Sequence, residues 1–332
     1  MSEAATAGPA LFRVGDGKLW KMDVATGGDV WTSPVGFRSR VHDIGDGRLL
    51  VSEFASSGGY QILNAANGRQ LAEVSRTMIN VTQGLVLAQS DAEDLQGLDP
   101  ATGNVRWTVP RAASALGFYA SDDVLCFTVN ESGTTQPVLR GVDRQTGALR
   151  WSYRQPKNSR LLIPLQSSDL VSTRVVWGYE NLAHLAVIEK RRLTLHCADI
   201  TAGKRLWATP LLEVATEEAE AAIEVLRVDT VSTLSVATIR DRRINPDNSG
   251  LIAVAQGSVR WRRPLLNPSV AVTPDGRLFA ATYDSVLHEL DPATGVTLWS
   301  TPTPGAADLF TAANTIVAKI EWSLTGYRLT TK

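Results

Sequence analysis

Asp99-Pro100-Ala101-Thr102-Gly103-Asn104-Val105-Arg106-Trp107 is a nine-residue stretch that the chain repeats, and the repetition decides the fold. The frame Asp-x-x-Thr-Gly-x-x-x-Trp returns at Asp23, Thr26, Gly27 and Trp31 and at Asp143, Thr146, Gly147 and Trp151. It returns again at Asp291, Thr294, Gly295 and Trp299. A variant with Ala202 in the threonine place runs from Asp199 through Gly203 to Trp207. Degenerate copies sit at Asn64 to Gly68 and at Gln256-Gly257 before Trp261. With Ala72 counted in the tryptophan slot of the second copy, successive slots are 41, 35, 44, 56, 54 and 38 residues apart. A period of about 40 residues with short strands belongs to an array of four-stranded blades.

The motif has the chemistry of a hairpin. Asp or Asn accepts hydrogen bonds from turn amides, and Gly supplies a positive φ without steric cost. The strand before the turn alternates, as in Leu287-His288-Glu289-Leu290, and the strand after it carries an indole suited to a cleft between sheets. A further apolar strand precedes each hairpin: Leu49–Val51, Leu85–Leu87, Val124–Cys126, Val175–Trp177, Leu278–Ala280 and Ile316–Val317. Inner strands fit Val41–Ile44, Met78–Val81, Leu161–Ile163 and Val270–Val272. Four strands per unit give an all-β chain, a single β-propeller domain over 1–332. Six strands left over at the two ends suit eight blades, with seven as the alternative. The eighth blade is expected to be closed by the N-terminal segment around Ala4 to Phe12 together with the C-terminal segment.

These hairpins resemble the tryptophan-docking repeat of the pyrroloquinoline-quinone-like (quinoprotein-like) propellers, from about Leu11 to Leu329. That group includes quinone-dependent alcohol dehydrogenases and the lipoprotein of the bacterial outer-membrane barrel-assembly machinery. The resemblance implies the fold; it implies little about function, because the motif is structural. The dehydrogenases of this group are much longer, bind calcium or a lanthanide beside the quinone, and often carry two adjacent cysteines. Here Cys126 and Cys197 stand far apart, so a quinone-dependent dehydrogenase is not favoured and no cofactor is expected.

Net charge is −1, which draws the molecule neither to nucleic acid nor to an anionic membrane. Lys190-Arg191-Arg192 and Arg240, Arg242 and Arg243 read as solvated faces. No run of 18 apolar residues occurs, so no membrane span is expected. The N-terminus lacks the basic start and apolar stretch of a secretory signal. Two cysteines in apolar runs read as reduced thiols. A cytoplasmic monomer is the expectation from these features.

In a propeller the turns between strands two and three, and the connections from strand four to the next blade, share one face; the Thr-Gly turns occupy the other. Long inserts fall in the fifth and sixth units: Gly178 to His184, the acidic Glu213 to Glu224, and Arg240 to Asn248. Loops longer than a connection requires often carry binding. The expected binding residues are Tyr179, Glu180, His184, Arg240, Arg242, Tyr283, Asp284 and Trp322. The leading function is a non-catalytic scaffold for a protein or peptide partner on this face. The alternative is a cofactor-independent cyclase, isomerase or lyase holding a small molecule at the channel mouth. Its candidate proton-transfer pairs are Glu180 with His184 and Arg240 with Asp241. The four histidines lack metal-ligand spacing, so no metal site is expected.

Overall fold

The computed structural model describes residues 3–7, 10–36, 39–53, 60–74, 78–82, 84–90, 92–112, 115–130, 137–154, 159–161, 176–179, 181–216, 222–243, 248–303, 308–312, 315–320 and 323–329. Among these the strands form eight antiparallel sheets, the architecture of an eight-bladed β-propeller. Blade one is Glu3–Ala7, Ala10–Gly15, Lys18–Met22 and Asp29–Pro34. Blade two is Ser39–Gly45, Arg48–Glu53, Tyr60–Asn64 and Gln70–Val74; blade three is Met78–Thr82, Leu85–Gln89, Leu95–Leu98 and Val105–Val109. Blade four is Leu116–Ala120, Val124–Asn130, Pro137–Asp143 and Leu149–Arg154. Blade five pairs both Ser159–Leu161 and Val176–Tyr179 with Leu182–Glu189, followed by Arg192–Asp199 and Lys204–Glu213. Blade six is Ile223–Val231, Leu234–Asp241, Gly250–Ala255 and Ser258–Pro264; blade seven is Ser269–Val272, Leu278–Ala281, Val286–Leu290 and Thr297–Pro302. Blade eight has three described strands, Asp308–Ala312, Thr315–Ile320 and Ser323–Arg328.

The chain falls into two compact units. One spans Met1–Ser114, Gln145–Gly147 and Phe310–Lys332; the other spans Ala115–Arg144 and Ala148–Leu309. Within the first, Phe12, Val14 and Leu19 of blade one pack against Val41, Leu49 and Leu63 of blade two. Within the second, Leu193, Leu195 and Leu211 of blade five meet Val225, Ile239 and Ile252 of blade six. Each such aliphatic side chain contributes roughly 1.5–3 kcal/mol by leaving water. The core is thus a series of layers between neighbouring sheets, as repetition demands.

The motif turns hold as read. The Asp99 carboxylate accepts from the amides of Ala101 and Thr102 at 2.7 and 3.0 Å, and Asp199 does the same for Thr201 and Ala202 at 2.8 and 3.0 Å. Trp31, Trp107, Trp151, Trp207 and Trp261 then each lie on the motif glycine of the following blade. A Cβ built at Gly147 or Gly295 would fall within about 3.0 Å of Trp107 or Trp261, and one at Gly203 closer still to Trp151. The indole N–H of Trp151 donates to the Ile200 carbonyl at 2.7 Å, and that of Trp261 to Pro292 at 2.8 Å.

Three details differ from the sequence reading. Glu3–Ala7 pairs with Ala10–Gly15, so the described strands of the segment around Ala4 to Phe12 belong to the sheet of blade one. Ala72 occupies the tryptophan slot by register, opposite Ile62, but is too small to reach the next blade; Val74 covers Gly103 in its stead. In blade five the second strand is Leu182–Glu189, not Val175–Trp177. Val176–Tyr179 is an inner strand.

Candidate functional site

A meander places the turns after strands one and three at one end of its sheet and the turn after strand two at the other. The second end of blade six carries an ordered charge cluster. Glu224, on the inner strand, is 3% exposed and pairs by register with Arg240. Arg240 donates to its carboxylate through Nη2 at 2.6 Å and Nε at 3.0 Å, while Arg242 reaches the other oxygen at 3.3 Å. Asp241 is fully buried and, one residue along the strand, faces away from Arg240. It takes Arg243 at 2.7 and 3.0 Å, Asn248 at 3.0 Å and the Arg243 amide at 2.9 Å. Burial alone would raise the Asp241 pKa; the hydrogen bonds from Arg243 and Asn248 outweigh it and bring the value down to about 2.

Connections lock this end in place. The Arg242 amide donates to Ala222 at 3.0 Å, and the Tyr283 amide donates to Leu266 at 3.2 Å. Tyr283 and Asp284 lie in the turn after the second strand of blade seven, the equivalent end, and Tyr283 is 63% exposed. The structure therefore places Arg240 near the end of the second strand of blade six, Arg242 in the turn that follows, and Tyr283 and Asp284 in the equivalent turn of blade seven.

It does not gather the rest with them. Tyr179 ends an inner strand, and the Asn181 carbonyl accepts the Ile200 amide of the motif turn at 2.9 Å. That turn belongs to the opposite end of the sheet from Arg240. His184 is not in a loop: it sits mid-strand, 1% exposed, with Nε2 2.8 Å from the Ser235 hydroxyl and its ring 5.7 Å from that of Trp207. It joins blades five and six. Glu180 and Trp322 lie outside the described residues, as do 217–221 of the acidic connector.

The chemistry follows from these placements. Arg240 and Asp241 do not form the expected pair, and a carboxylate with a pKa of about 2 is a poor proton carrier near neutrality. Among the described residues no three His, Cys, Asp and Glu side chains gather as a metal site. Cys126 and Cys197 lie on different blades, in Val124–Asn130 and Arg192–Asp199. Sequence reasoning missed the buried acids. Glu224 stood as the last residue of the acidic connection from Glu213, and Glu289, which binds Arg277 twice at 2.9 Å, stood as an alternating strand residue. A signal existed in both cases: an arginine stands directly across the ladder or one turn away.

The family described as Outer membrane protein assembly factor BamB matches residues 15–244 and 247–328. The chain belongs to that family. Among solved structures, BamB from Moraxella catarrhalis is 15% identical with a TM-score of 0.63, over 96% of this chain and 92% of that one. The computationally designed Ika8 protein is 12% identical with a TM-score of 0.64, over 98% and 95%. A europium-containing methanol dehydrogenase is 12% identical with a TM-score of 0.58, over 95% and 81%. At such identities these structures share the fold. No curated protein matches the chain.

Membership in the BamB family overturns the cytoplasmic expectation, since the family is one of outer-membrane assembly factors. The cysteines that suggested it carry no such information. Both are buried, and burial raises both thiol pKa values, that of Cys197 to about 12 with Asp199 adding to the effect. A thiol so shielded stays reduced in an oxidising compartment as well. Among the described residues no helix is long and apolar enough to cross a membrane.

Proposed function

We propose that this chain is a non-catalytic scaffold in outer-membrane protein assembly, holding a protein partner at the loop end of blades six and seven. Membership in the BamB family carries the reading. The choice of surface is supported by Arg240 and Arg242, fixed on buried Glu224 in blade six, and by Tyr283, exposed in the equivalent turn of blade seven. Tyr and Arg held in place before binding are the residue types that dominate interface energetics.

A photo-crosslinking residue at position 283, introduced in the native host, tests it. Capture of an envelope assembly component is expected. Tyr283→Ala and Arg242→Ala are each expected to weaken that partner about tenfold, roughly 1.4 kcal/mol. Folded outer-membrane barrels should fall in step. Full barrel levels in both variants, with no crosslinked envelope protein, would overturn the reading.

A further inference from the structure

Arg263 is a cation held without a carboxylate. It lies on the outer strand of blade six, Ser258–Pro264, and reaches across to blade seven. Its Nη1 donates to the Gly295 carbonyl at 3.0 Å and its Nη2 to the Thr297 hydroxyl at 2.5 Å. Its Nε is buried and has no partner among the described residues. Arg227, Arg240, Arg242, Arg243 and Arg277, in or beside the same two blades, each hold an Asp or Glu. Arg263 pairs only with neutral oxygens, so its charge is left uncompensated in the cleft between the blades.

The opposite wall supplies further donors. His288 pairs by register with Ser300, and the Ser300 hydroxyl lies 2.7 Å from His288 Nδ1. Docked motif tryptophans turn toward the following blade. His288 and Ser300, on the other face from Trp299, therefore turn toward blade six. Glu289, with Arg277 bound to it, shares the face of Trp299, and Asp291 is taken up by the Ala293 amide and the Thr294 hydroxyl of its own turn. Burial holds the His288 pKa below its ordinary value, and the Arg263 charge adds to this; exposed Asp284, in the turn before the strand, works the other way. When Ser300 donates to Nδ1, the proton of the neutral ring sits on Nε2, which has no partner among the described residues.

We propose that the cleft between blades six and seven binds a phosphate-type oxyanion, held by Arg263 from one wall and by His288 and Ser300 from the other. A planar carboxylate is best met by the two outer nitrogens of a guanidinium, and here both already serve Gly295 and Thr297. A tetrahedral oxyanion offers oxygens in several directions and suits donors on two walls. Its charge beside the imidazole raises the His288 pKa. By reciprocity it binds more tightly as pH falls through that value. Val296 and Leu298, at the start of the same outer strand, are exposed by 57% and 49%. Free phosphate and a phospholipid headgroup share the chemistry the donors recognise, and the headgroup would also use these aliphatic side chains. Binding here does not depend on the partner surface at Tyr283.

The test titrates inorganic phosphate into the full chain at constant pH and ionic strength while NMR follows the histidine Cε1–H resonances. A saturable shift of His288 is expected, with its pKa raised by about 0.5–1 unit at saturation. Buried His184 and His196 should not move. Arg263→Gln is expected to weaken binding about tenfold or more, with its thermal melt unchanged. If that variant also lowers the melt, Ser300→Ala decides by calorimetry, since Ser300 is exposed, and should weaken phosphate about threefold. Sedimentation with phosphatidylglycerol vesicles then identifies the source. Vesicle binding that Arg263→Gln abolishes assigns a lipid headgroup, and phosphate binding without it assigns a soluble phosphate. No saturable shift, an equal shift on adding chloride, or full affinity in Arg263→Gln overturns the proposal.

Discussion

Asp241 shows how a buried charge in this fold is tied to structure. Its carboxylate is fully buried and its pKa lies near 2 against an ordinary 3.8. A depressed carboxylate pKa stabilises the folded state fully above the ordinary value. That contribution is lost as pH falls through the folded one. The melting temperature is therefore expected to drop between about pH 4 and pH 2. Asp241→Asn should flatten part of that drop and cost about 1–3 kcal/mol at neutral pH by weakening the bonds to Arg243 and Asn248. Melts across that range check both. Arg240 and Arg242 respond differently, because their shared Glu224 lies on another strand, so Asp241→Asn should leave the Tyr283 crosslink intact. The cysteines give a second expectation at this scale. With both thiols buried, a soluble thiol reagent should label the native protein negligibly within an hour and label both sites at once in denaturant.

At the scale of the strand and turn, the glycine under each indole is the contact most sensitive to substitution. Gly203→Ala brings two costs. The residue must hold φ +65°, and its methyl must enter the volume of Trp151. Gly276→Ala shares only the first, at φ +82° with open space around it, so the comparison isolates docking. About 1–2 kcal/mol is expected for Gly276→Ala. At least 1–3 kcal/mol more is expected for Gly203→Ala, because overpacking adds to strain. Urea unfolding measures the difference. The same elements show what could be read from the chain beforehand. Asp, Gly and Trp at fixed offsets act through local bonds, so the hairpins and their period were legible. Blade five was not: Val175-Val176-Trp177 and Leu182 to Ile188 are both apolar runs, and pattern alone does not say which is inner. The consequence reached the site, since the error moved Tyr179 to the wrong end of its sheet and took a mid-strand His184 for a loop residue. Burial of Glu224 was hidden for a related reason, because a charge is buried only where folding brings its partner across the ladder.

Across the whole molecule, stability should behave as a sum of neighbouring layers. Trp151 and Trp261 both lie in the unit spanning Ala148–Leu309 and share no partner. The first packs with Leu139, Leu185 and Gly203, the second with Val270, Leu290 and Gly295. Each also donates its N–H to a different turn carbonyl, Ile200 or Pro292. Replacing either indole by phenylalanine keeps most apolar area but strands a carbonyl that had a donor, a loss of about 1–2 kcal/mol. Because repeat layers exchange energy only with the layers they touch, the double variant is expected to lose the sum within about 0.5 kcal/mol. Calorimetry or urea titration of the two single variants and the double variant measures the coupling. A coupling above about 1 kcal/mol would mean that strain passes through the intervening blade. The propeller would then respond as one cooperative body, and binding at one blade could be felt at another.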